Sequence, residues 1–420
     1  MADDLELVAG NGLLHRRALL SGGLLSVAAA GAARAAGPEA LKGGEPPTMS
    51  TPGGPFTAYG TPSHWLDDIK RSVGASPISP GTGASRTPLQ RLEGTITPSG
   101  LHFERHHNGV PDIDPTKHEL LIHGLVRRPL IFSLDALYRY PMESHVRFVE
   151  CGGNSGGCIR PEPQQASAGD LHGLLSNSEW TGVKLSTLLD EVGVEPGAAW
   201  VLAEGADGAG MSRSIPLAKC MDDAVIALYQ NGEPIRPSQG YPMRLLLPGF
   251  SGNTNVKWLH RLKVTAQPTM TKDETSRYTA LQPDGKARQF ILPLEVKSVI
   301  LKPSFGLSMQ GPGIYEISGV AWSGRGRVRK VEVSADGGKS WALAALEGTP
   351  GDKAVTRFRL PWRWDGSPSL LMSRATDETG GVQPTRAAWM AAYAPGQFYF
   401  YNGIHAWGVA ADGKLSHAYA

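Results

Sequence analysis

Cys151 stands in the stretch Val149-Glu150-Cys151-Gly152-Gly153-Asn154-Ser155-Gly156-Gly157, after a β-type run (Val146, Phe148, Val149) and ahead of a loop too glycine-rich for a helix. Without Cβ atoms nearby, a bulky group can approach both the backbone and the thiol. A thiolate presented in this way suits a large, soft metal centre. The same residues also describe a buried free cysteine beside a tight turn. Four polar clusters accompany it. Phe103-Glu104-Arg105-His106-His107-Asn108-Gly109-Val110-Pro111 puts a cation and two imidazoles in one loop. Glu204-Gly205-Ala206-Asp207 ends a hydrophobic strand in a carboxylate, and Gln239-Gly240-Tyr241-Pro242-Met243-Arg244 leads an arginine into an apolar one. Gly252-Asn253-Thr254-Asn255-Val256-Lys257-Trp258-Leu259 gathers several donors around a lysine. Alone, each reads equally as a solvated loop, a turn aspartate, a carbonyl-bonded arginine or an exposed lysine. Together, dispersed Arg, Lys and Asn donors match what an anionic, heteroatom-rich group with a phosphate requires.

The elements that must position these residues are β-rich. The 420 residues include 52 glycines and 32 prolines, favouring strands and turns over helix bundles. The length allows two substantial domains plus extensions. Forty-one basic against 39 acidic residues leave a net charge of +2, which gives no indication of nucleic-acid binding. Three cysteines (151, 158 and 220) are too few for a disulfide scaffold and fit no zinc spacing; no Cys-x-x-Cys-His attaches haem. From residue 89 to about 290 the pattern is mixed α+β. Strands are expected at 119–124, 200–203, 224–229 and 243–247, helices after Ser133 and near Lys184, and a hairpin turn at Asn231-Gly232. From 291 to 420 it becomes all-β, with alternation at 314–322 and 328–334 and further strands at 340–343 and 356–360. That spacing predicts an immunoglobulin-like sandwich.

The N-terminus reads as an export signal over residues 1–35. Arg16-Arg17 precede a small-residue apolar run from Ala18 to Ala33, and Ala33-Arg34-Ala35 resembles a cleavage site. The run is too short and too rich in Gly and Ala to span a membrane. Paired arginines point to the twin-arginine route and a periplasmic protein, with a Sec-type signal or uncleaved anchor as alternatives. Residues 36–88, rich in Pro, Gly, Ser and Thr, are expected to form an extended arm with little core of its own that wraps the main domain or a partner, with plain disorder as the alternative.

Cys-x-Gly-Asn after a strand, the Arg-x-His loop, Ser214-Ile215-Pro216-Leu217, Gly240-Tyr241-Pro242-x-Arg244 and Val256-Lys257-Trp258-Leu259 resemble, in this order, the sulfite oxidase family of molybdenum enzymes. Gly319-Val320-Ala321-Trp322-Ser323-Gly324 and Asp336-Gly337-Gly338-Lys339-Ser340-Trp341 resemble that family's dimerisation domain. Within the family, residues 100–111 and Ser178-Glu179-Trp180-Thr181-Gly182-Val183 are most similar to the molybdenum subunit of sulfane dehydrogenase, from the Sox thiosulfate-oxidising system. The resemblance implies an α+β molybdopterin-binding domain followed by the sandwich. It implies molybdenum-molybdopterin as cofactor with Cys151 as the metal's thiolate ligand, and no haem in this chain. Arg105 and His107 would contact cofactor and oxyanion. Phe103, Asp207, Gln239, Arg244, Asn255, Val256 and Lys257 would hold the pterin and its phosphate. Tyr278 falls at the position of the active-site tyrosine, and Arg374 would reach the site from the sandwich.

Two departures bear on the substrate. Animal sulfite oxidases carry arginines where this chain has Ser155, Gly156 and Gly157, and a tryptophan expected near 168–172 is replaced by Gly169-Asp170-Leu171-His172. Fewer cations weaken attraction for free sulfite, and less bulk opens the mouth, so sulfur borne on a protein arm is the expected substrate. The resemblance implies oxygen-atom transfer, electrons passing to a c-type cytochrome subunit, a Sox sulfur carrier as partner, and paired molybdenum subunits in a heterotetramer. Three alternatives stay open: a periplasmic sulfite dehydrogenase, a cofactor-free binding protein, and a Cys151–Cys158 disulfide.

Overall fold

The computed structural model describes residues 6–15, 49, 52–66, 68–77 and 79–420. Arg16-Arg17, the apolar run after them and the expected cleavage site lie outside the described residues. Among the described residues no helix is long and apolar enough to cross a membrane.

The first domain packs two five-stranded sheets. One runs Ser212–Pro216, Trp200–Gly205, Leu259–Thr265, Glu119–Gly124, Leu130–Ser133; its pair Leu259–Thr265 with Glu119–Gly124 is parallel. The other runs Glu233–Pro234, Val225–Gln230, Leu175–Lys184, Met142–Glu150, with Arg244–Leu246 also paired to Val225–Gln230. Between them lies a core that includes Leu120, Ile122, Leu188, Ile226, Leu245 and Leu262. Ser133 caps the helix Leu134–Leu137 by accepting from the Ala136 amide at 3.2 Å. Asn231 and Gly232 adopt φ of 51° and 79°, the left-handed pair that a tight hairpin requires.

Residues 297–418 form the expected sandwich, a β domain after the α+β one. One sheet orders Thr356–Trp364, Gly313–Trp322 and Lys297–Lys302; the other orders Ala342–Leu343, Val328–Ser334, Ser369–Asp377, Ala406–Val409 and Leu415–Ala418. Trp322, Trp362 and Trp407 are fully enclosed between them. The same core continues into the first domain through Phe148, Leu171 and Leu175, so the strand leading to Cys151 is clamped by both domains.

Two regions add to the sequence reading. Residues 72–86 add little core, with Ser72–Ala75 exposed throughout, but they are held to the main domain by strand pairing: Ser72–Ala75 pairs with Gly83–Arg86, which pairs with Glu104–His106, so the site loop is the third strand of a small sheet. Backbone pairing supplied what the Gly/Ser/Pro-rich composition conceals. Residues 7–14, inside the expected leader, form a hairpin on the sandwich. Leu13 pairs with Trp362, Leu13 and Leu14 are buried, and the Trp362 indole donates to the Asn11 carbonyl at 2.6 Å. Asn11-Gly12 turns with φ of 54° and 84°, and a Cβ at Gly12 would collide with the Arg363 carbonyl. Its signal was an Asn-Gly pair between apolar residues, the same that marks residues 231–232.

Candidate active site

Met142–Glu150 delivers Cys151 to the seam between the domains. The Cys151 amide donates to the Leu174 carbonyl at 2.9 Å, and the Cys151 carbonyl accepts from the Asn154 amide at 2.9 Å. Glu150, just behind it, is buried and fully engaged. It accepts from Asn154 Nδ2 (2.9 Å), Lys297 Nζ (3.0 Å) and Trp322 Nε1 (2.7 Å). The glycines are needed for close approach, but to an aromatic wall from the sandwich. A Cβ on Gly152 would stand 3.1 Å from the Phe400 ring, and one on Gly156 2.8 Å from Phe398. The Phe400 amide donates to the Gly152 carbonyl at 2.7 Å.

Cys151 opens onto a recess of about 690 Å³. Eleven expected site residues line it: Phe103, Arg105, His107, Cys151, Asp207, Gln239, Arg244, Asn255, Val256, Lys257 and Tyr278. Arg374 does not. It lies in the sandwich, donating to Glu332 at 3.0 and 3.3 Å and stacked 4.2 Å from the Trp341 ring centre, so its expected role in this chain's pocket is corrected. Strand pairing of Ser369–Asp377 with Val328–Ser334 sets that direction. All three cysteines are free, and no disulfide joins Cys151 to Cys158.

Cations outnumber carboxylates in the recess, with Arg105, Arg244 and Lys257 against Asp207. Lys257 Nζ gives its donors to neutral acceptors: His106 Nδ1 (2.9 Å), the Ser238 carbonyl (2.9 Å) and the Arg105 carbonyl (3.4 Å). Burial, then Arg244 nearby, pushes its pKa well down. Arg244 donates to the backbone carbonyls of Gln239 (3.0 Å) and Asn255 (3.1 Å) and to Gln239 Oε1 (3.5 Å), all neutral, and burial pushes it down to about 9. Gln239 in turn donates to the Phe103 carbonyl (2.9 Å), and Asn255 Oδ1 accepts from the Leu247 amide (2.7 Å), so both chiefly shape the wall. Arg244 Nε, His102 Nε2 and Asn253 Oδ1 are buried with no hydrogen-bond partner among the described residues. His102 Nδ1 donates to the Phe103 carbonyl at 2.9 Å, so its bare Nε2, like Asn253 Oδ1, is an acceptor. An orphaned Arg244 N–H, two orphaned acceptors and the cations of Arg244 and Lys257 around one cavity suit an anionic ligand with heteroatom edges, as a phosphate-bearing pterin is. The thiol beside them, its own pKa raised by burial, suits a metal that displaces its proton.

The strand Glu104–His106 and its flanking residues give roles to Glu104 and His106 as well. Alternate side chains point to opposite faces. Glu104 and His106 share one face, with His106 Nε2 3.2 Å from Glu104 Oε2, and this chain ends on Lys257. Glu104, which burial alone would raise, is held at about 2 by His106 and by its ion pair to Arg71. Arg105 and His107 share the other face. Arg277 NH1 donates to His107 Nδ1 at 2.9 Å, which leaves Nε2–H to donate to the Tyr278 hydroxyl at 2.9 Å. Burial, with Arg105 and Arg277 close by, holds His107 at about 3 and therefore neutral. The Tyr278 O–H is then left to donate into the recess.

A second, wider recess opens over the glycine loop at Gly153, where a Cβ would lie 4.0 Å from Cys151 Sγ. Gly156, Gly157 and Phe398 form its apolar side, and Arg86 and Arg160 bring to it the positive charge that positions 155–157 lack.

The chain was compared with known proteins. Residues 107–272 match the family model described as oxidoreductase molybdopterin binding domain, and 288–406 match the Mo-co oxidoreductase dimerisation domain. Mitochondrial sulfite oxidase of Mus musculus is 31% identical over 332 residues, 73% of this chain and 60% of that protein. NADH nitrate reductase of Solanum lycopersicum is 31% identical over 379 residues, 79% of this chain and 40% of that protein. The chain thus spans less than two thirds of these curated relatives. The crystal structure of the sulfane dehydrogenase SoxCD from Paracoccus pantotrophus superposes with a TM-score of 0.86 at 42% identity, covering 90% of this chain and 97% of that one.

Proposed function

Since this chain belongs to the sulfite oxidase family of molybdopterin-binding oxidoreductases, we propose that it oxidises sulfane sulfur carried on a protein arm and passes the electrons to a c-type cytochrome. The observation that carries the substrate class is the open recess over Gly153, Gly156 and Gly157, which leaves room beside the Cys151 loop for sulfur borne on a protein arm. The 42% identity to the sulfane dehydrogenase SoxCD supports it.

When bound, the molybdenum cofactor supplies two-electron oxygen-atom transfer with water as the oxygen source. Cys151 would be its thiolate ligand, and Asp207, Gln239, Arg244, Asn255 and Lys257 would hold the pterin and its phosphate. Arg105 supplies positive charge where an oxyanion develops. His107, locked as the Nε2–H tautomer by Arg277, orients Tyr278 so that the phenol donates a hydrogen bond to the sulfur-bound oxygen. The Phe398 and Phe400 rings pack against the glycine loop and hold its backbone in place. Glu150, anchored by three donors, fixes the backbone carrying Cys151.

We place the protein in the periplasm, exported by the twin-arginine route, as a dimer of molybdenum subunits in a heterotetramer with cytochrome chains, receiving sulfur from a Sox carrier. The dimerisation-domain match supports the pairing. A leader ending near residue 35 would take the docked 7–14 hairpin with it, so N-terminal sequencing of the purified protein checks both at once.

The deciding assay offers free sulfite and a persulfide-bearing carrier side by side. Cytochrome reduction dependent on the carrier is expected; fast turnover of sulfite with no response to the carrier overturns the reading. Arg86 and Arg160 beside the loop are what favour the second reading, a sulfite dehydrogenase. Cys151→Ser should abolish activity by at least about a hundredfold and change the metal's spectrum, with the fold intact. An unchanged spectrum would remove Cys151 as ligand.

A further inference from the structure

Behind the glycine loop, on the side away from the pocket, lies a second concentration of ligating groups that the proposed chemistry does not use. Cys158, His172 and His405 are all buried, and one donor atom from each lies within 4.8 Å of the others. Cys158 Sγ stands 3.7 Å from His405 Nδ1. Two ligands on one tetrahedral ion, with metal–sulfur and metal–nitrogen bonds of about 2.3 and 2.0–2.1 Å, are about 3.5 Å apart. His172 uses Nδ1 on Ser155 Oγ at 2.7 Å, and its Nε2 is buried with no partner, as is Nε2 of His405. An imidazole with one nitrogen held by a hydroxyl and the other bare, beside a thiol, is the usual state of a metal ligand and its supporting partner. Burial holds both imidazoles in the neutral form that coordinates. Two cations lie close by: Lys297, paired with Glu150 at 3.0 Å, donates to Ser155 at 2.7 Å, and Arg386 donates to the Cys158 carbonyl at 3.1 Å.

We propose that Cys158, His172 and His405 form a structural site for one thiophilic divalent transition ion, zinc or copper. Binding replaces the Cys158 thiol proton, which leaves to solvent, and makes one metal–sulfur and two metal–nitrogen bonds with no change of oxidation state. Cys158 sits on the glycine loop, His172 ends the helix Ala168–His172, and His405 precedes the sandwich strand Ala406–Val409. The ion therefore ties the sandwich to the loop that presents Cys151.

The test loads the full chain with Zn²⁺ or Cu²⁺ in separate arms, desalts it, and counts metals by mass spectrometry, with molybdenum read in its own channel. One equivalent per chain in either arm is expected, with a thermal midpoint raised by several degrees. Cys158→Ser and His405→Gln should each lose more than nine tenths of it, whereas Cys220→Ser keeps it. Failure of wild type to take up an equivalent, or retention by both site variants, overturns the proposal. Should those variants fail to fold, Co²⁺ is loaded into the Cys151→Ser chain, where no pocket thiol competes. A thiolate-to-cobalt absorption band supports the site and its absence refutes it. Neither readout depends on molybdenum being present.

Discussion

Lys297, buried behind Cys151, and Lys257, half-buried in the wall of the recess, are treated differently. Lys297 carries its own anion, paired to Glu150 with side-chain exposures of 2% and 6%. Lys257 meets only neutral acceptors, and its charge is opposed by burial and by Arg244. Two arginines repeat the contrast. Arg213 makes a two-pronged pair with Glu274 at 2.8 and 3.1 Å, whereas Arg244 has carbonyls and an unpartnered Nε. A cation supplied with its counter-charge is structural; one held ready without it is set for a ligand.

The largest effect should come from the back of the loop. Lys297→Met leaves Glu150 buried and uncompensated, and should cost about 3–5 kcal/mol in urea unfolding. A loss under about 1 kcal/mol would erase the distinction between the two lysines. Next is the pH response of the pocket wall. Burial holds His102 at about 3 in the fold, so the unfolded chain binds more protons between there and about 6.5. The stability is therefore fully present above about pH 6.5 and declines on acidification, by about 2 kcal/mol at pH 5, and His102→Gln should flatten that slope. Lys257→Met should do the opposite of its counterpart. Cofactor-free protein should gain on the order of 1 kcal/mol while retention of molybdenum falls, measured by calorimetry and metal analysis on the same preparation. If that variant is destabilised as much as Lys297→Met, Lys257 is structural too. Smallest is Arg374→Ala, whose partly exposed pair with Glu332 predicts a change of about 1 kcal/mol or less and unaltered kcat. A large fall in kcat would return Arg374 to the site.

Much of the catalytic pocket was legible because its residues sit in short runs of unusual type: an Arg-x-His loop, an arginine entering an apolar strand, a cysteine among glycines. Others were not. Arg277 looks like any loop arginine until Tyr278, at φ 53°, brings it under His107. Phe398 and Phe400 lie about 250 residues from the glycines they cover. Arg374 failed in the other direction, since a position near a motif says nothing of which face of a strand it occupies.

By its own periodicities and turn residues, the chain determined an α+β domain followed by a sandwich, and it contained the thiol, the cations and the amides. Those signals are local, written in spacings of two to four residues. What only the tertiary structure decided is which charges keep a partner. Pairing Lys297 with Glu150, leaving Lys257 without a carboxylate, docking residues 7–14 on Trp362 and gathering Cys158, His172 and His405 each join segments far apart in sequence. Such contacts follow from how sheets pack and in which register, and burial then fixes what each charge is worth.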